Sequence, residues 1–141
     1  MTADNFYWYA SLLIFLPWLL LMFAPNYRYT ERIAFIAAFI LLAAAAFFTF
    51  QYLRSEGDDG GTLRSLEGLK NLFRSKEMLL TGWLNYLSFS LFAGTWEVHD
   101  ARDQRIPHIW MLVPLALTML AGPSGLLLYM GIRFLKTRKW A

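Results

Sequence analysis

Two long runs of this chain contain no charged residue at all, residues 6–24 and residues 33–53. Each is long enough, at about 1.5 Å per helical residue, to cross a hydrocarbon layer of about 30 Å. A chain cannot hide such runs in water without a large core, and 141 residues allow one modest domain. Residues 78–98 and 109–135 continue the pattern, with one charge each, Glu97 and Arg133. The expected fold is therefore all-α: an integral membrane bundle of about four transmembrane helices in a single domain.

Composition supports a lipid solvent. Apolar residues reach 57 % and charged residues only 16 %, against about 45–50 % and 25 % in soluble domains. Tyr7, Trp8, Tyr9, Tyr27 and Tyr29 flank the first run, where amphipathic rings anchor at the bilayer interface. Pro25-Asn26 ends that run in a turn, and Pro17 can kink it. The small residues Ala43 to Ala46 would let another helix approach the second run closely. The chain contains no Cys, which excludes disulfides, thiolate metal sites and Cys nucleophiles. The net charge of +3 comes from basic residues beside apolar runs, a membrane pattern rather than a nucleic-acid one. No basic region precedes the first run, which predicts a bacterial or already processed chain.

The polar stretch between the second and third runs opens on Gly57-Asp58-Asp59-Gly60-Gly61, a flexible turn. Leu63, Leu66, Leu69, Leu72 and Phe73 then alternate with Arg64, Glu67, Lys70 and Arg74 at helical spacing. Residues 62–76 read as a short amphipathic helix on the membrane surface; packing on a soluble partner is the alternative. Four crossings would place both termini and the Arg54–Glu77 loop on one side with nine basic residues, against Arg28, Arg32, Arg102 and Arg105 on the other. That bias predicts both termini in the cytoplasm, which for a bacterial chain is the inner side of the inner membrane. Pro114 and Gly122-Pro123 interrupt the fourth run, which is either one kinked helix or two shorter pieces.

The third run carries most of the polar groups. At about 100° per residue, Thr81, Asn85, Ser88, Thr95, His99 and Asp103 share one side with Phe92 and Trp96, while Trp83, Tyr86, Ser90 and Glu97 share nearly the opposite one. A helix polar on two sides belongs in the centre of a bundle. Asn85, Ser88 and Ser90 read either as interhelical hydrogen bonds or as a polar lining for a ligand. Glu97 should meet the interface, where His99, Asp100, Arg102, Asp103, Arg105 and His108 follow. That cluster reads as a solvated loop with local salt bridges, a substrate or partner site, or a metal site, although its spacing matches no specific metal motif. His99 and Asp103 can pair on one helical face. Gly122-Pro123-Ser124-Gly125 lacks the Lys of a phosphate loop.

An ordered series of short pieces is distinctive: Ser65-Leu66-Glu67-Gly68, Gly82-Trp83-Leu84-Asn85-Tyr86-Leu87, Leu91-Phe92-Ala93-Gly94-Thr95-Trp96-Glu97, Asp100-Ala101-Arg102, Ile106-Pro107-His108 and Gly122-Pro123-Ser124-Gly125-Leu126-Leu127-Leu128-Tyr129. Together they resemble the family of the plant abscisic-acid-deficient-four membrane protein and its bacterial relatives. The resemblance implies a four-helix plastid or bacterial membrane protein. Plant members are required to make neoxanthin from violaxanthin, a carotenoid epoxide rearrangement. The family pattern has His where this chain has Asn85 and Asp where it has Ser90. Acid–base chemistry needs groups that titrate, and these two only hydrogen-bond.

The function that follows is a non-catalytic accessory or structural subunit of a bacterial membrane complex, photosynthetic or light-harvesting in setting. Trp83, Asn85, Tyr86, Ser88, Ser90, Phe92 and Trp96 would pack against carotenoid or bacteriochlorophyll, lipid and other transmembrane subunits. The alternative is an enzyme, or an enzyme's partner, in xanthophyll epoxide modification, with Glu97, Asp100 and His108 as acid–base candidates. A small transporter ranks third, because Asn85, Ser88 and Ser90 make a thin polar path.

Overall fold

A computed structural model of the chain describes residues 3–54 and 61–139, and these are helical throughout, without strands. Helices α1 (Ala3–Phe23) and α2 (Thr30–Arg54) form from the two uncharged runs. Both are long and apolar enough to cross a bilayer. Thr30 closes the turn between them by donating its hydroxyl to Ala24 O at 2.7 Å. The turn expected at residues 57–61 falls, apart from Gly61, outside the described residues. Helix α3 (Leu66–Leu72) is shorter than the expected 62–76, because Ser65 and Ser75 each cap a separate helix start. Their hydroxyls accept from Gly68 N and Met78 N at 3.0 and 3.1 Å. Leu63 and Leu66 are exposed beside Arg64, Glu67 and Lys70, while Leu72 is buried.

Helix α4 (Lys76–Asp103) runs through the middle of the bundle and packs on α1, α2, α5 and α6, which is the central placement its two polar sides require. Its contact with α2 is intimate because α2 turns a small-residue face toward it. Ala34, Ala37, Ala38, Leu41 and Ala45 are buried, so backbone meets side chain directly and Ser88 Oγ donates to Ala38 O at 2.8 Å. The seam is displaced from the Ala43–Ala46 run, since Ala43 and Ala46 face outward. Trp18 of α1 fills a notch at Gly94, where a Cβ would lie 2.6 Å from the indole. Outward faces of the bundle carry Leu12, Phe15, Phe39, Leu53, Phe89 and Leu127, each more than half exposed. Apolar exposure of this extent suits lipid and not water.

The fourth run does not cross the bundle. A one-turn 3-10 helix (His108–Met111) leads into α5 (Leu112–Ala121), and α6 (Pro123–Thr137) follows after Gly122. Gly122 adopts φ 40° and Pro123 starts α6. A Cβ on Gly125 would lie 2.1 Å from Thr118 N and 2.5 Å from Pro114 O. Residues 114 and 125 would be about 16 Å apart in one continuous helix, so α6 doubles back along α5. The far ends agree, with Lys136 Nζ 4.8 Å from the Trp110 ring centroid. The turn lies beside Tyr86, whose hydroxyl donates to Met119 O at 3.2 Å. That is about 15 Å along α4 from Lys76, well short of the bundle's end.

This hairpin corrects the expected topology. The ion pair of Asp4 with Lys76 marks one end of the bundle. Glu31 with Arg102 and the Trp110–Lys136 pair mark the other. The described termini therefore lie at opposite ends rather than on a shared side. Because the chain has no Cys, single-cysteine labelling reads this directly. In sealed vesicles, Arg64→Cys and Lys139→Cys should react with a membrane-impermeant maleimide from opposite faces. Labelling of both from one face would overturn the hairpin.

Candidate functional site

Two groups of functional side chains emerge around α4, and they are spatially separate. The first is a buried polar cluster. Glu97 is fully buried, not at the expected interface. The hydroxyl of Thr118, from α5, donates to Glu97 Oε1 at 2.8 Å. Glu97 Oε2 is buried and has no hydrogen-bond partner among the described residues. One turn further along α4, Asp100 accepts from the Tyr129 hydroxyl and, at 2.7 Å, from Arg133 Nε. The Asp100 and Arg133 side chains are only 14 % and 7 % exposed, and Trp96 stands edge-on to the Tyr129 ring at 5.8 Å. This network ties α4 to both arms of the hairpin.

His108, the third acid–base candidate, is not part of it. Its Nε2–H donates to Met22 O at 2.6 Å, pinning the α5 entrance to the end of α1. His99 and Asp103 pair at 3.6 Å as expected, and His99 also meets Glu31 at 3.4 Å, on the exposed surface.

The second group forms a groove along α4, opened by the shortness of the hairpin. Three cavities of about 290, 450 and 370 Å³ open along α4, the first two on the side of Trp83 beside α1 and the third on the side of Asn85 beside α6, with Tyr86 between the second and third. The first begins at Asp4 and Lys76 and is lined by Tyr7 and Trp83. Trp83 also lines the second with Tyr86, Met119 and Leu120, and Tyr86 lines the third with Asn85, Phe89, Ser90 and Pro123. The shared rings meet, Trp83 stacking on Tyr86 at 5.6 Å and Tyr7 tilted against Trp83 at 5.8 Å. The cavities together border roughly 26 Å of the helix, from Lys76 to Ala93.

Four of the seven residues singled out for pigment packing line these cavities, Trp83 with Tyr86 in one and Asn85 with Tyr86 and Ser90 in another. Asn85 is half-buried and makes no side-chain hydrogen bond among the described residues, while Ser90 Oγ donates back to Leu87 O at 3.0 Å. The other three point elsewhere. Ser88 bonds α2, Phe92 packs edge-on against Phe35 of α2 at 5.5 Å, and Trp96 meets Tyr129. Thr118 carried no sequence signal of its own, Tyr7 read only as an interface anchor, and Tyr129 only as the end of one distinctive piece. Arg133 did: a charge deep in an apolar run needs a buried partner.

Breaking the Asp100–Arg133 pair leaves one charge buried and uncompensated. Arg133→Met should cost about 3–5 kcal/mol of stability, read by unfolding in detergent. Adding Asp100→Asn to Arg133→Met should restore most of that loss.

The family model described as ABA DEFICIENT 4-like matches residues 5–129 of the chain. No curated protein and no solved structure matches it.

Proposed function

The chain belongs to the ABA4-like family, which links it to carotenoid-related function in broad terms, and from that premise we propose that it is a non-catalytic accessory membrane protein that holds a carotenoid in the groove along α4. The observation that carries this reading is the separation of cavity from chemistry. The groove's interior lining offers flat aromatic faces, aliphatic side chains and the amide of Asn85. The buried acids Glu97 and Asp100 line none of its three cavities. A polyene is long, apolar and rigid, and apolar cavities bordered by aromatic rings along roughly 26 Å of one helix are complementary to it. Asn85 would hydrogen-bond a ring oxygen, and Asp4 and Lys76 lie where a polar end group would reach the interface.

The setting we infer is a bacterial inner membrane. Helices α1, α2 and α4 cross it, and α5 and α6 enter as a re-entrant hairpin. Re-entrant backbone is tolerated where protein covers it, and the turn is covered by Tyr86. With the C-terminus at the Arg102 end, that end carries seven basic residues outside the buried pair, Arg28, Arg32, Arg102, Arg105, Lys136, Arg138 and Lys139, against five at the other. That bias supports a cytoplasmic C-terminus and an N-terminus on the opposite side. Phe15, Phe39 and Leu127 face outward, toward lipid or toward other transmembrane subunits of a photosynthetic complex.

One observation favours the enzyme reading. Glu97 Oε2 is a buried oxygen without a donor, and such groups recur at catalytic sites. Expression in a carotenoid-making bacterial host separates the two. The protein should purify in mild detergent with a chemically unchanged carotenoid. Trp83→Ala should lower the pigment-to-protein ratio severalfold, whereas Glu97→Gln should leave it unchanged. A rearranged epoxide product that disappears on Glu97→Gln would instead establish catalysis, and colourless protein would sink the carotenoid site.

A further inference from the structure

At the opposite end of the bundle from the groove's mouth lies a fourth cavity, about 280 Å³, between the α1–α2 turn and the turn that leaves α4. Its floor is apolar, built from Val98, Ala101, Ile106 and Met111, all buried. Its rim is basic and polar: Arg102, Arg105, Asn26 and His108. Among the described residues no carboxylate lines it. Arg102 spends one N–H on Glu31 at 2.8 Å and another on Pro25 O at 2.6 Å, which fixes its guanidinium at the rim with N–H groups to spare. Arg105 and Asn26 make no side-chain hydrogen bond or ion pair among the described residues.

Arg105 is also in an unusual position. Helix α4 ends in a Schellman turn, with Ile106 N donating to Ala101 O at 2.8 Å and Arg105 N to Arg102 O at 3.1 Å. The residue in the middle of that turn must be left-handed, and Arg105 has φ 57°. Glycine takes this conformation without strain and is the usual occupant. An arginine there is tolerated against the local backbone preference, and its side chain stands over the cavity without an internal partner. Strain retained at a side chain that makes no hydrogen bond or ion pair among the described residues points to a ligand.

We propose that this cavity binds the phosphate group of an amphiphilic ligand. The Arg105 and Arg102 guanidiniums would grip the phosphate oxygens, Asn26 would add a donor, and the Val98–Met111 floor would receive the adjoining carbon chain. Planar guanidiniums suit phosphate because they offer paired N–H donors. The phosphate would belong either to a phospholipid headgroup or to a soluble phosphoester, and the pocket's place at the end of the bundle is open to both. The proposal is independent of the carotenoid reading, since it uses neither the groove nor the acids of α4.

The test uses the full chain purified in a neutral detergent, with bound ligand counted by native mass spectrometry. One arm adds phosphatidylglycerol, with diacylglycerol as the control that lacks phosphate. The other adds glycerol phosphate or inorganic phosphate. Saturable binding in the first arm, absent with diacylglycerol, assigns a lipid headgroup. Binding in the second assigns a soluble phosphoester. In either case Arg105→Gly should weaken binding about tenfold or more, the worth of a charge-assisted contact, while its melting temperature stays equal or rises because the left-handed turn is relieved. Arg105→Asn, which also accepts that conformation, should behave alike. Saturable binding in neither arm, or binding that both variants leave unchanged, would overturn the proposal.

Discussion

The architecture depends on one close approach, the crossing of Gly125 over Thr118. With no side chain on Gly125, the backbone of α6 rests directly on Thr118 N and on Pro114 O, at distances that a Cβ would reduce to 2.1 and 2.5 Å. That contact folds the last third of the chain back on itself. It also holds Thr118 between two helices, so its hydroxyl is aimed at Glu97. Any other residue at position 125 would push α5 and α6 apart and carry Tyr129 and Arg133 away from Asp100.

From that crossing two consequences spread through the bundle. Because the hairpin turns back at Gly122, beside Tyr86, the stretch of α4 nearest Lys76 has no α5 or α6 against it. Trp83 and Tyr86 are left lining an apolar groove instead of a helix–helix seam. Because both arms of the hairpin pack on the remainder of α4, the buried acids there are held by Thr118, Tyr129 and Arg133. A carboxylate in a low-dielectric interior requires such partners. The same turn that borders the cavities therefore closes the acids away from them. This physical separation underlies the preference for binding over catalysis, and Asn85 and Ser90 agree with it because neither titrates.

Much of the helical content was legible from residue order. The two uncharged runs became α1 and α2, and the two polar sides of the third run did place α4 in the centre. Ser88 was rightly read as a candidate for interhelical bonding. Other readings failed for identifiable reasons. Glu97 was expected at the interface because α4 was taken to end near Val98, yet it continues to Asp103. Arg133 was counted as a terminal charge because its partner, Asp100, lies thirty-three residues away. The small-residue seam was sought at Ala43–Ala46, where alanines run consecutively, whereas a helix buries them at spacings of three and four, as at Ala34, Ala37, Ala38, Leu41 and Ala45.

Hydrophobicity is a sum over neighbouring residues, so linear order alone establishes that the long runs need an apolar surrounding and form helices there. It also marks where helices start and stop, at Ser65, Ser75, Gly122 and Pro123, because caps and breakers act within a turn of themselves. Whether a broken run continues onward or doubles back is a different matter. Both paths satisfy the same local preferences, and only the contact of residues 114 and 118 with residue 125 distinguishes them. The side on which the chain ends, the burial of Glu97 and the openness of the groove all follow from that non-local choice, and folding alone makes it.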